Sequence, residues 1–543
     1  MHWLDFPPPR KNMQQAFSNP ENARIWLAAQ PQADPVQMQG ILLYQIEALD
    51  GSTLPPAEIL PLLNILKSAA TSVQATLEPR YLRKPLPMAS VDQRIFETAR
   101  QLWTRLGIAY LRIAPHFAPA DRLLPLHRAA SSIRLAEYCH LQAAQECSAL
   151  LDRLLFAILE QAERANLQRL PVVDPDFPHL GESNIAGHVA WAFLLRLIEP
   201  YRLSLHQLVV ANRAISRWRE LANFQAIPDS DPKAQTIVLD GLFGSTIPEG
   251  LSRYLDIRPI LRKIRHRLEA LQAGESPESL KLGRELSSAA CIRLLHDMRT
   301  SLTQHNSTPA TEVGEVCLTF GAENAYTLLA GKPLKSQGLG EKSATLSHER
   351  VALFGFDRLS HLPNAVQKLD VPSETWSRVD GLVVRPIDAG ERHLTPCLVA
   401  TTNEKGARLG VLLALRASSD DALRAQLSWY PAVVSAGVIK RTSGAQTKIP
   451  VFTLTQDGKT YLITPSNAGI KLDVGLNLEE ADSYHLTPTE VTDRGTDFVR
   501  YLCHETQTKK NPSEDGFLKR YGQPSNLAKN SAAGSSYSNS MMI

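Results

Sequence analysis

At 543 residues the chain is long enough for about two to four folded units, at roughly 100 to 200 residues per domain, so a miniprotein stapled by metal or disulfides is excluded. Hydrophobic residues make up 43% and charged residues 21%, enough apolar material to bury sizeable cores and to exclude wholesale disorder. Fifty-eight Lys and Arg against fifty-five Asp and Glu leave a formal charge of +3, far short of a dedicated nucleic-acid binder, so any basic site has to be local.

Residues 1–20 read as an arm. Their start, Met1-His2-Trp3-Leu4-Asp5-Phe6 followed by prolines, has neither the basic opening nor the apolar stretch of a secretory signal. Residues 21–310 read as all-helical. Helical spacing is clearest after Ser90, where Ile95, Phe96, Ala99, Leu102, Trp103, Leu106, Tyr110 and Ile113 form one stripe. Ser90-Val91-Asp92-Gln93 has the form of a capping box, and Pro115 supplies a stop. The same logic predicts helices near Met38–Asp50, Ala57–Leu77, Ser131–Asn166, Ile185–Glu199, Leu203–Asn223, Pro259–Ala273 and Pro277–Gln304. No apolar run reaches the eighteen or more residues that a membrane span needs; Val189–Leu195, for example, is stopped by Arg196.

Past residue 310 the period shortens to two. Residues 311–345 read as a connecting segment with a first strand, since Val316, Leu318 and Phe320 alternate. Residues 346–500 read as one small antiparallel β-barrel or sandwich, with strands near Leu382–Arg385, Leu394–Thr401, Arg408–Leu415, Val433–Lys440, Ile449–Leu454 and Tyr461–Thr464. Turns are expected at Asn403-Glu404-Lys405-Gly406, Ser443-Gly444 and, most strongly, Asp457-Gly458. Residues 501–543 turn to Lys, Asn, Ser and Gly and predict a disordered tail. The fold class expected is therefore multidomain α+β, an all-α helical stack followed by a small antiparallel β domain, a barrel or a sandwich.

The motifs that carry chemistry are incomplete. Trp103-Thr104-Arg105-Leu106-Gly107-Ile108-Ala109-Tyr110 fits the opening of a tetratricopeptide repeat, yet at the period of about 34 residues Glu137 takes the place of Trp103, so an ordinary buried helix is expected. Gly241-Leu242-Phe243-Gly244-Ser245-Thr246 and Ala330-Gly331-Lys332-Pro333 contain only fragments of a phosphate loop. No close metal-ligand spacing and no Gly-x-Ser-x-Gly elbow is present, so neither a metal, a cofactor nor an enzyme is expected. Six scattered cysteines without a Cys-x-x-Cys pair point to a reduced, cytoplasmic protein. Three local basic patches stand out: the helix holding Arg253, Arg258, Arg262, Lys263, Arg265, His266 and Arg267; Arg80-Tyr81-Leu82-Arg83-Lys84-Pro85; and Lys440-Arg441.

One family resemblance runs through these residues. Val316-Cys317-Leu318-Thr319-Phe320-Gly321, Trp376, Val379-Asp380-Gly381-Leu382-Val383-Val384, Arg408-Leu409-Gly410-Val411 and Ala436-Gly437-Val438-Ile439-Lys440, together with Trp26-Leu27 and Tyr81-Leu82-Arg83-Lys84-Pro85-Leu86-Pro87 before the Trp103 helix, resemble a proteobacterial family of cytosolic proteins. In that family a long helical region precedes a C-terminal barrel similar to the PilZ domain. The resemblance implies a receptor for cyclic di-GMP. Such a ligand needs Arg forks for its phosphates and for the guanine Hoogsteen edge, and a carboxylate or hydroxyl for the base donors. PilZ domains supply these with Arg-x-x-x-Arg and Asp/Asn-x-Ser-x-x-Gly; here Arg350, Arg358 and Glu374-Thr375-Trp376-Ser377-Arg378-Val379-Asp380-Gly381 stand near the expected places, with Ser377 and Gly381 one residue further apart than the motif. The ligand-binding residues expected are accordingly Arg378, Asp380, Arg385, Lys440 and Arg441. The functional expectation is a non-catalytic signalling protein that couples cyclic di-GMP at the barrel to the helical region and engages a protein partner. The alternative is an interaction scaffold whose barrel binds no nucleotide.

Overall fold

The computed structural model describes residues 4, 7–10, 12–227, 235–239, 253–304, 313–331, 371–403, 406–441, 448–478 and 484–507. Gly241–Thr246, Lys332-Pro333, Arg350, Arg358, Glu404-Lys405, Ser443-Gly444 and the chain beyond Gln507 lie outside those residues. Helices occupy the chain as far as Thr303 and strands dominate from Gly314, which is the α+β order the patterning predicts.

In the helical region the Ser90–Ile113 helix buries its whole predicted stripe against the helices Pro35–Asp50 and Leu123–Gln142. Gly107 permits the second contact, because a Cβ there would fall 2.4 Å from Ile133 Cδ1. That close approach accounts for the repeat-like spacing without a repeat. The expected capping box is absent at Ser90: the helix begins on that residue, one position too late for its hydroxyl to serve as the cap, and Gln93 Nε2 donates instead to Glu97 Oε1 at 3.0 Å. A capping box forms at Ser204 and Gln207, opening the helix Leu205–Trp218.

Three long helices expected from periodicity are shorter or broken. The segment 131–166 is two helices, Leu123–Gln142 and Ala149–Arg164. Ala144 between them adopts a left-handed φ of 51°, which alanine has no intrinsic reason to do. Tertiary pairing overrides propensity there, as described below. The helix expected over Pro277–Gln304 starts only at Ser288, after Gly283 at φ 103° and the N-cap Ser287. The helix expected to reach Asn223 stops at Trp218, and Asn223–Gln225 joins a three-stranded sheet with Thr236–Val238 and Tyr254–Asp256. That sheet, and the pair Val172–Val173 with Glu182–Ser183, correct the all-helical expectation; strands of two or three residues carry too few alternations to read.

The strands close two barrels where sequence patterning suggested one. Gly314–Phe320, Glu374–Val379, Leu382–Pro386, Cys397–Asn403, Gly406–Ala417 and Ala422–Trp429 make the first; Val434–Arg441, Lys448–Gln456, Lys459–Pro465, Leu476–Leu478, Tyr484–Arg494 and Phe498–Gln507 make the second. Alternation fixes which face of a strand is buried, and says nothing about which edge it pairs with. Gly314–Phe320 is thus a full stave of the first barrel and no mere connector, while the last strand continues past residue 501. The Asp457-Gly458 turn is as expected, with φ of 53° and 71° and Gln456 paired to Lys459.

The helix Ala322–Ala330 and Asp497 join the two barrels. The Asp497 carboxylate accepts from Ala322 N at 2.7 Å and from Leu398 N at 3.1 Å, and Tyr326 donates to Gly437 O at 3.2 Å. The first barrel also meets the helical region, through two backbone bridges. Leu86 and His393 exchange amide hydrogen bonds of 2.9 Å in both directions. Ala417 N donates to Ala144 O at 3.0 Å and Glu146 N donates to Ala417 O at 2.8 Å. Leu86 and Ala144 are buried within the first barrel's own apolar core.

Candidate functional site

Arg378, Asp380 and Arg385 share one hairpin of the first barrel. Arg378 stands two residues from the buried Trp376, hence on the same face, and pairs in register with Gly314 and Val383. Asp380 is exposed in the turn at φ 50°. Arg385 is buried: its Nε lies 3.1 Å from Glu374 Oε2, Nη2 donates to Glu391 O at 2.5 Å, and the guanidinium sits 5.0 Å from the Trp376 ring centroid. The Glu374 carboxylate also meets His393 Nε2 at 2.9 Å. Burial alone would raise the Glu374 pKa, but its interactions with His393, the Glu391 amide and the Arg385 guanidinium outweigh it and hold the carboxyl below its usual range. Because His393 is the residue bridged to Leu86, this network braces the joint with the helical region. Lys440 and Arg441 lie on the other barrel, at the end of Val434–Arg441, paired with Asn477 and Leu476. The five expected residues are therefore divided between two barrels.

The two remaining basic patches have structural duties. Arg83 donates through Nη2 to Pro200 O at 2.5 Å, and burial pulls its pKa down to about 10. Arg253 pairs with Glu163 at 2.6 Å and Arg258 with Asp256 at 2.9 Å, while Arg265 and His266 face Glu269.

A different place collects cations from both parts of the molecule. Between the helical region and the first barrel lies a cleft of about 1030 Å³, at the upper end of the range for ligand pockets. Arg100 from the Ser90–Ile113 helix, Arg196 and Arg202 from the end of the Ile185–Leu197 helix and the turn after it, and Arg416 from the strand Gly406–Ala417 all line it. Two of these are committed: Arg196 to Glu137 and Asp152, and Arg202 to Glu199. Arg100, half-buried, makes no side-chain hydrogen bond or ion pair among the described residues. Arg416 holds its guanidinium 5.4 Å from the Tyr201 ring centroid, with Nε 3.6 Å from Glu146 Oε1. Gln93, Gln145 and Gln426 contribute amides, and Glu97 and Asp421 contribute carboxylates.

The titratable groups of the cleft suit binding better than bond-making. Burial, reinforced by the charge of Arg100, drives the His140 pKa down to about 3, so the imidazole is neutral at physiological pH. Burial also pushes the Cys147 thiol and the Tyr201 hydroxyl far up, which keeps both protonated and poor nucleophiles. Among the described residues no group of three or more His, Cys, Asp or Glu is placed to hold a metal ion, and no helix is long and apolar enough to cross a membrane.

Residues 21–230 match the family model of the cyclic-di-GMP receptor FimW, N-terminal domain. The FimW match takes in every helical residue that lines the cleft, from Gln93 to Arg202, and ends before the barrels begin. No curated protein and no solved structure matches the chain. The FimW match is thus confined to the helical region, whereas the resemblance read from the sequence rested mainly on the barrel. Arg100 and Arg416 escaped sequence reasoning because each sits in an ordinary amphipathic element with no local motif. One signal was available: folding the strands about Ser418-Ser419-Asp420-Asp421 pairs Arg416 with Arg424, an unusual facing of like charges.

Proposed function

We propose that this chain is a non-catalytic receptor for cyclic di-GMP, and that the dinucleotide sits in the cleft between the helical region and the first barrel rather than on the Arg378 hairpin. The observation that carries this reading is the cleft itself, which brings Arg100 of the FimW-matched region and Arg416 of the first barrel into one cavity of about 1030 Å³. A cyclic dinucleotide presents two phosphodiesters and two guanines. Guanidinium groups donate paired, charge-assisted bonds to phosphate oxygens, and Glu97 and Asp421 supply acceptors for the guanine N1–H and amino group. Tyr201, already beneath a guanidinium, offers an aromatic face for a base. A ligand gripped from both sides favours one arrangement of the two parts, which is what a receptor needs in order to signal. Binding proceeds without turnover.

Titration calorimetry of the full chain with cyclic di-GMP at physiological salt tests the reading. Binding is expected in the micromolar range or tighter, and Arg100→Ala and Arg416→Ala should each weaken it by about tenfold or more, the loss of a charge-assisted bond. Arg378→Ala and Lys440→Ala should leave it unchanged. Absence of heat at tens of micromolar would defeat the receptor reading, and a loss confined to Arg378→Ala would return the site to the hairpin.

A further inference from the structure

The strand pair beside the cleft contains a charge arrangement that the fold alone does not require. Arg416 and Arg424 stand directly opposite each other on neighbouring strands, where like charges repel. Asp420 answers only one of them, with Oδ2 2.7 Å from Arg424 Nη2. The shared counter-charge comes from the helical region: Glu146 lies 3.6 Å from Arg416 Nε through Oε1 and 4.0 Å from Arg424 Nε through Oε2. Both separations exceed hydrogen-bond length, and both Nε–H groups are buried without an acceptor. Ser418 donates its hydroxyl to the same Glu146 carboxylate, whose backbone amide is pinned to Ala417 O at 2.8 Å. Glu146 thus holds two guanidinium groups electrostatically while leaving both Nε–H donors unused.

Resting on the reading that the cleft takes cyclic di-GMP, we propose that Glu146 is a built-in stand-in for a ligand phosphate: it latches the helical region onto the Arg416 and Arg424 pair when the cleft is empty, and the dinucleotide's phosphodiester displaces it. A phosphodiester carries one negative charge and two non-bridging oxygens, enough to accept both unused Nε–H donors. Glu146 is in the connector between the helices Leu123–Gln142 and Ala149–Arg164, whose helix-breaking course is fixed by its pairing with Ala417. Releasing the carboxylate therefore loosens one of the two backbone bridges between the helical region and the first barrel, while the Leu86–His393 bridge stays. The occupied receptor is looser at the Ala144–Ala417 contact than the empty one. Because carboxylate and phosphate compete for the same donors, ligand affinity and latch strength are reciprocally linked.

The test uses the full chain and Glu146→Gln, which keeps an acceptor for Ser418 but removes the charge. Cyclic di-GMP should bind this variant about two- to tenfold more tightly, the scale expected for losing partly exposed competing ion pairs, and the gain should vanish when Arg416→Ala is added. A second readout needs no ligand. Amide hydrogen exchange at Glu146 and Ala417 should be faster in Glu146→Gln than in the parent, with exchange at Leu86 and His393 unchanged and thermal melting confirming an intact fold. Equal or weaker binding by Glu146→Gln, or unaltered exchange at Glu146 and Ala417, overturns the latch. If the parent chain binds no dinucleotide, the receptor reading fails on its own, and the ligand-free exchange measurement still decides the latch.

Discussion

The two barrels have the same number of staves and differ in what fills and surrounds them. The core of the second gathers Ile439, Val451, Leu462, Leu476 and Val499, with Thr464 buried among its strands. The first closes around Trp376, Leu318, Leu412 and Leu423, takes in Leu86 and Ala144 from the helical region, and adds the Arg385–Glu374–His393 network at the joint. The charges of the first barrel gather where it touches the helices: Arg385 beside the Leu86 bridge, Arg416 and Arg424 beside the Ala144 bridge. Their positions follow from a duty at an interface, where the second barrel, among the described residues, offers the helical region only the exposed ion pair of Arg293 with Glu490, 3.9 Å apart.

The largest expected effect separates the barrels by removing their central side chains. Trp376→Ala should cost about 3–5 kcal/mol and, because the helical region docks on that core, abolish ligand binding as well. Leu462→Ala in the second barrel should cost about 2–5 kcal/mol and leave the cleft able to bind. Chemical denaturation followed by calorimetry of the surviving fold checks both. Glu374→Ala strands the buried Arg385 charge and should lose about 3 kcal/mol, whereas Glu505→Ala, which removes only an exposed bond from Thr460 in the second barrel, should be near neutral. Equal losses would dissolve the contrast. Asp497→Ala, at the seam between the barrels, leaves the Ala322 and Leu398 amides without their acceptor and should cost about 1–3 kcal/mol, read by thermal melting.

Acid distinguishes the helical region from that seam. Burial lowers His127 and His140 to about 3, below the ordinary 6.5, so the unfolded chain takes up protons that the folded chain refuses. Helical stability should fall as pH drops from about 6.5 towards 3. Asp497 acts in the opposite sense. Burial raises its pKa from 3.8 to about 6, so the stability it confers is complete at low pH and lost as pH rises through about 6. Circular dichroism between pH 7 and 4 should show the helices weakening first, and a helical signal that strengthens on acidification would refute the assignment. The smallest effect concerns caps: Ser204→Ala should cost about 1 kcal/mol and Ser90→Ala close to nothing, since Ser204 caps its helix and Ser90 does not.

Periodicity was a sound guide to which residues are buried and a poor guide to what they meet. The Ser90–Ile113 stripe and the Asp457-Gly458 hairpin were legible because a single element or a single turn determines them. The break at Ala144 was invisible, since alanine favours helix and only the partner strand near Ala417, far along the chain, makes it depart. Arg385 looked like a ligand residue because its sequence neighbours do not reveal that Glu374 and the Glu391 carbonyl enclose it. Arg100, Glu146 and Arg416 were missed for the same reason in reverse: each looks ordinary until the fold places all three around one cavity.

The entry of Leu86 and Ala144 into the first barrel also bears on how the molecule is made. Strands translated after residue 313 find two of their interior contacts already displayed by chain synthesised much earlier. Domains emerging from a ribosome fold from the N-terminal end onward, so the helices act as a mould on which the first barrel sets. A barrel expressed without that mould would begin life with a gap in its interior and an unpaired edge at Ala417, the two defects that most invite aggregation.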